Sequence, residues 1–342
     1  PLFGYRRKAY LLLASLVGIA AYAWITQLRA PGELISVLLL SAYAMAIIST
    51  LCGAVLVENG QRLSASDAFV NQQWLWFNIA GMAASFLGGQ LVQRLSPAGA
   101  LHVAAMVVAV APLGVVLGSL FLIEEQRSRL DLGELKRTFR ALLSAFTLKD
   151  LWLIALFLFL FYLNPGFGTP LYYYMTDDLK FSQAFIGTLG AIGSAGWIAG
   201  ALFYRYFLKG ISAKRLINLA ILLGTLTTAS FVLLSSAASA AIINFANGIA
   251  GMITFVATLS LAADYCPQRA EGFAFAALMS ILNLASSLSG ALGSFLYEHV
   301  FANRLVPLIL LSAGLTALIF VFVPFLRLGN KAPGAPARAA TE

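Results

Sequence analysis

The chain has 342 residues, 60% of them hydrophobic and only 11% charged, with a mean hydropathy of +0.86. Such a composition excludes an ordinary soluble domain and a disordered chain, both of which carry far more charge. The net charge of +8 suggests a nucleic-acid surface by itself, but the placement of the basic residues gives it another meaning.

Apolar stretches recur along the chain, each near the roughly 20 residues that a helix needs to cross a bilayer core. They predict ten spans, near 9–27, 34–57, 70–94, 99–123, 151–175, 182–208, 213–234, 238–263, 271–298 and 305–326. Lys and Arg alternate between the connecting segments. Eighteen fall on one side, and only Arg29, Arg94, Lys180 and Arg304 on the other. By the positive-inside rule, both termini and the 124–150 linker face the cytoplasm. The basic excess is therefore topology, and no nucleic-acid partner is expected. The expected setting is the cell inner membrane, as a multi-pass monomer.

Four spans precede the linker and six follow it. Gly4-Tyr5-Arg6-Arg7-Lys8 runs straight into the first span, and Gly210-Ile211-Ser212-Ala213-Lys214-Arg215 leads into the seventh in the same way. Matching these loops makes the ten spans helices three to twelve of a twelve-helix plan with parallel repeats. The expected organisation is an incomplete four-helix bundle over 1–123, a cytoplasmic linker over 124–150, a six-helix bundle over 151–328 and a disordered tail over 329–342. A true ten-helix protein is the alternative.

The third span carries Asn71, Trp74 and Asn78 on one stripe, with Gln73 and Trp76 alongside. The fifth contains Asn164-Pro165-Gly166-Phe167-Gly168-Thr169-Pro170 deep in its apolar run, followed by Tyr173. Proline removes an amide donor and crowds the preceding turn, while glycine adds freedom. A helix broken in mid-span is predicted, with Asn164 near a solute and Pro165, Gly166, Gly168 and Pro170 forming a gate; a static kink is the alternative. The sixth span has a seam of Gly187, Gly190, Gly193, Gly196 and Gly200, suited to packing or sliding against another helix.

Asn244, Asn247, Gly251, Thr254 and Thr258 share a face of the eighth span, and Asn283, Ser286, Ser287, Gly290 and Ser294 one of the ninth. The first, fourth and tenth spans have no Asn, Gln, Asp or Glu in their interiors, and the seventh has only Asn218. A polar group facing lipid without a partner costs several kcal/mol, so amides should face protein or a watery cavity. The amide-bearing spans are therefore expected to enclose a pathway and the amide-poor ones to support it. Candidate solute contacts are Gln73, Trp74, Asn78, Asn164, Phe167, Tyr173, Asn244, Asn247 and Asn283. Hydrogen-bonded glue between helices is the alternative for each amide.

Charge is missing from mid-membrane. Glu58 and Asp264, near the cytoplasmic span ends, are candidate proton carriers, with solvated end caps as the alternative. Asp177 and Asp178 lie at the outer end of the fifth span. Cys52 sits in a span and Cys266 at a cytoplasmic end, so no disulfide is expected. No His/Cys/Glu cluster has metal-ligand spacing and no nucleophile–base pairing stands out, so neither an enzyme nor a bound metal or cofactor is expected.

Three stretches resemble one known family. They are Pro1-Leu2-Phe3-Gly4-Tyr5-Arg6-Arg7-Lys8-Ala9-Tyr10, then Tyr172 to Phe181 leading to Ile186-Gly187, and Cys266-Pro267 followed by Glu271 and Ala277 to Leu284. In order and content they are similar to the folate–biopterin transporters, a branch of the major facilitator superfamily. The resemblance implies an all-α polytopic membrane protein with a major facilitator-type two-bundle fold. It further implies a secondary carrier of pterins or folates, driven by protons and working by alternating access, with Gly4, Arg6 and Arg7 in a cytoplasmic loop motif. Members of that branch carry two acidic residues one turn apart before the position of Glu58, where this sequence has Ser49 and Gly53. A related facilitator for muropeptides, nucleosides or drugs is the second reading. A non-transporting membrane protein for pigment handling or complex assembly is the third.

Overall fold

The computed structural model describes residues 5, 7–28, 31–62, 66–123, 133, 149–208, 210–264 and 271–326. The chain forms two compact units, Pro1–Leu132 and Gly133–Glu342. Nearly all of the 124–150 linker and the 329–342 tail lie outside the described residues, as do Gly4, Arg6 and Cys266. The same holds for the side chains of Glu58, Asn71 and Asp264.

The first unit contains α1 (Lys8–Ile25), α2 (Pro31–Arg62), α3 (Ser66–Arg94) and α4 (Pro97–Phe121). Its elements start and pack for local reasons. Ser96 caps α4 by accepting from Gly99 N–H at 3.2 Å, and Pro97 follows where a missing donor costs nothing. Lys8 Nζ reaches the other end of α4 and donates to the carbonyls of Leu120 and Ile123 at 3.3 and 3.2 Å. A cation there complements the negative end of the helix dipole. Leu11, Ala14, Gly18, Ala21 and Ile25 recur at three and four residues and form the buried face of α1. Gly18 faces the mid-helix Pro112 of α4, whose Cγ would lie in ordinary contact, 3.6 Å, with an added Cβ.

The second unit contains α5 (Lys149–Tyr162), α6 (Gly168–Tyr173), α7 (Gln183–Phe203), α8 (Ala213–Ser230), α9 (Ala237–Asp264), α10 (Glu271–His299) and α11 (Leu305–Leu318). A π turn at Tyr174–Asp178 prolongs α6 and another at Tyr204–Leu208 prolongs α7. Ser182 caps α7, and Ser236 and Ser239 cap the start of α9 reciprocally, each hydroxyl accepting from the other's backbone N–H at 3.0–3.2 Å. Leu158, Ile217, Ile221, Ile253, Leu261 and Leu278 fill the centre of this unit. A second cluster, including Leu171, Leu189, Phe231, Ile243 and Ile309, fills the end reached by α6.

The two units repeat one packing pattern. In the first, α1 lies against α2 and α4, α2 against α3, and α3 against α4. In the second, α8 lies against α9 and α11, α9 against α10, and α10 against α11. The loops before α1 and α8 are the pair matched from sequence.

Among the described residues, nine helices are long and apolar enough to cross a membrane, and the predicted fifth span consists of a shorter apolar helix, α5, and the short α6 beyond a break. Large apolar side chains stand on the outside, such as Leu39 at 67%, Tyr43 at 71% and Ile242 at 69% exposure. A water-facing surface would not carry so many. The protein is an all-α multi-pass integral membrane protein.

Candidate functional site

In the first unit, the predicted stripe on α3 divides. Gln73 is exposed and Trp74 half-buried, with the Trp74 ring edge-on to Phe77 at 5.4 Å. Asn78 is buried, and its amide donates to Trp74 O at 2.8 Å, one turn back on the same helix. Arg7 stands at the N-terminus of α1, where its carbonyl accepts from Leu11 N–H.

In the second unit, the fifth span is broken where the sequence predicts it. Helix α5 stops at Tyr162, and residues 163–167 run without helical structure before α6 begins at Gly168. The backbone groups freed by the break would each cost several kcal/mol in hydrocarbon, and α10 supplies partners for two of them. Gly166 N–H donates to Ser289 O at 2.9 Å, and the Ser289 hydroxyl donates to Asn164 O. The approach requires glycine on α10, because a Cβ on Gly293 would run into Gly166 O. Pro165 and Pro170 are buried, Gly166 is half-buried and Gly168 is exposed. Phe167 turns inward and meets Phe231 edge-on, with ring centroids 5.3 Å apart.

The amides separate into engaged and unengaged groups. Asn164 donates through Nδ2 to the Thr316 hydroxyl at 2.5 Å, and Thr316 in turn donates to Ser312 O. The amide nitrogen of Asn164 thus joins the break to a third helix, α11, while its Oδ1 is buried with no hydrogen-bond partner among the described residues. Asn244 donates to its own helix at Ala240 O, 2.8 Å away. Asn247 on α9 and Asn283 on α10 are exposed, and neither amide has a hydrogen-bond partner among the described residues. Tyr173 is 53% exposed on α6. Of the two candidate proton carriers, Glu58 is in α2 and Asp264 ends α9, with both side chains outside the described set.

Sequence reasoning missed Ser289, Gly293 and Thr316, the residues that receive the break. Replacing Thr316 by valine keeps the volume and removes the acceptor for Asn164. The expected cost is about 1 kcal/mol, read as a lower Tm of the detergent-purified protein; an unchanged Tm would mean that the bond carries no weight.

The glycine seam of α7 packs on α9. A Cβ on Gly196 would strike Phe245 O, one on Gly248 would strike Gly193 O, and one on Gly200 would lie 2.7 Å from Ile249 O. Tyr162 and Thr258 add a hydroxyl–hydroxyl bond of 2.9 Å between α5 and α9.

Residues 1–326 match the family model described as the BT1 family. The chain is 29% identical to the folate-biopterin transporter of Synechocystis sp. over 318 residues, covering 86% of this chain and 62% of the relative. It is 25% identical to folate transporter 1 of Plasmodium falciparum, covering 94% of this chain and 66% of that one. It thus spans under two thirds of the length of these relatives. Among solved structures it is similar to a bacterial homologue of the iron transporter ferroportin in an inward-facing state, with a TM-score of 0.58, 13% identity, and coverage of 94% and 83%. The fucose:proton symporter FucP of E. coli gives a TM-score of 0.55 at 12% identity, covering 94% and 84%. Such low identities show the fold, which is of the major facilitator type.

Proposed function

The chain belongs to the BT1 family, and from that membership we propose that it is a secondary carrier of folate- or pterin-like solutes. Transport proceeds by alternating access between the bundles 1–123 and 151–328, joined by the 124–150 linker. The observation that carries the reading is the pair Asn247 and Asn283. Both amides lie inside membrane spans, exposed and without a hydrogen-bond partner among the described residues. Lipid would charge several kcal/mol for each, so they belong on a solvated route, where they can donate to and accept from a pteridine ring. Tyr173, exposed on α6 of the same unit, supplies a stacking face. Asn78 and Asn244 each donate to a carbonyl of their own helix and Asn164 donates to Thr316, so these three also brace the helices, with the buried Asn164 Oδ1 left as an acceptor for the solute, while Phe167 packs against Phe231.

Proton coupling belongs to the proposal, with Glu58 and Asp264 as the carriers. The protein works as a monomer in the inner membrane, with the linker and C-terminus in the cytoplasm, and performs no catalysis.

Uptake of labelled folate by cells producing the transporter tests this. Uptake should saturate, be competed by unlabelled biopterin but not by uridine, and collapse with a protonophore. Asn247→Leu and Asn283→Leu should each lower kcat/KM for uptake by about tenfold, the worth of one hydrogen bond to the solute. Uptake that no pterin competes would remove the substrate assignment.

A further inference from the structure

The end of the second unit reached by α6 holds a cavity of about 460 Å³, a size typical of small-molecule sites. It is lined by Tyr174 and Asp178 of the π turn, Phe231 after α8, and Asn303, Arg304 and Pro307 at the start of α11. The Tyr174 hydroxyl donates to Leu234 O at 3.2 Å, which fixes the ring as a wall. Asp178 and Arg304 carry opposite charges into the same cavity. Among the described residues, neither side chain makes a hydrogen bond or an ion pair, with the other or with anything else.

Backbone strain concentrates at the same place. The three non-glycine residues of positive φ among the described residues are Lys180 at 53°, Ala302 at 49° and Asn303 at 59°. Lys180 follows Asp178 by two positions, and the other two immediately precede Arg304. Left-handed backbone costs about 1–2 kcal/mol for residues such as Lys180 and Ala302, while asparagine tolerates it, and such strain gathers at functional sites. The α8 span ends at Leu233 and the α11 span begins at Leu305, so the cavity opens at the depth of lipid head groups, where Tyr and Arg anchor.

We infer that this cavity binds a zwitterionic group bearing an anion beside a primary ammonium, supplied by the phosphoethanolamine head of a membrane lipid. The phosphate takes the planar fork of Arg304. The ammonium donates to Asp178, with Tyr174 and Phe231 lining the cavity beside it. A choline head cannot donate to the carboxylate, and a glycerol head brings no cation. A free solute with the same two charges offers the same chemistry, so the test separates the two sources.

The full chain is reconstituted in phosphatidylcholine nanodiscs containing phosphatidylethanolamine or phosphatidylglycerol, and retained lipid is read by native mass spectrometry. Phosphatidylethanolamine is expected to be retained about tenfold over phosphatidylcholine, in line with one charge-assisted hydrogen bond. Asp178→Asn should erase that preference, and Arg304→Gln should reduce retention of both lipids, with helix content by circular dichroism unchanged for these exposed positions. Equal preference in the wild type and Asp178→Asn overturns the site. Displacement of the lipid by an equal concentration of water-soluble glycerophosphoethanolamine overturns the lipid as its source.

Discussion

Gly293→Ala is expected to destabilise the second unit more than the loss of any surface amide. The three atoms nearest to the added methyl are the carbonyl oxygen, carbonyl carbon and nitrogen of Gly166. All are backbone, and none can swing aside as a side chain would. The segment 163–167 must retreat from α10, which loosens both Gly166 N–H to Ser289 O and the Ser289 hydroxyl to Asn164 O. Overpacking costs about 1–3 kcal/mol and each weakened hydrogen bond about 1 more, so a fall of at least about 5 °C in Tm is expected. Gly290→Ala is the matched control on the same helix. Nothing lies within 4 Å of its added Cβ, and replacing a helical glycine gains about 1 kcal/mol of propensity. Equal Tm values for the two variants would show that the break is not docked on α10.

Gly248→Ala is expected to come next in size, by forcing α7 and α9 apart. Its methyl would strike Gly193 O and lie 2.9 Å from the Gly196 Cα, while Gly196→Ala would meet Phe245 O and lie 3.0 Å from the Gly248 Cα. Each should cost about 1–3 kcal/mol. The pair should be strongly non-additive, because the first methyl opens the space that the second occupies. Thermal unfolding of the two single variants and the double variant measures this. Additive losses would mean that the two positions do not share one contact.

The sequence made the spans legible because hydropathy alone sets them, and their predicted limits fall close to the observed helices. The break at 163–167 was legible too, since two prolines and two glycines in seven residues cannot continue a helix under lipid. Its docking surface was not. Ser289 and Gly293 sit beside the amide stripe of α10, and no periodicity says which small residue receives a neighbouring backbone. The same limit applies to the glycine seam, whose partner Gly248 carries no signal beyond being a glycine. The amides differ in a way the sequence does not show. Asn78 and Asn244 look like Asn247 and Asn283 in sequence, yet each of the first two closes a bond to a carbonyl four residues back. Thr316 stayed hidden because a hydroxyl in an amide-poor span reads as filler.

One consequence follows from the way the interrupted span is fastened. Two of the backbone groups freed by the break bond to Ser289, so the joint between α5 and α6 has its bearing on a different helix. A swing of α6 about that joint must either rupture the bearing or carry α10 along. The two form a single mechanical part, and a substitution on α10 will register as a change in how α6 tilts.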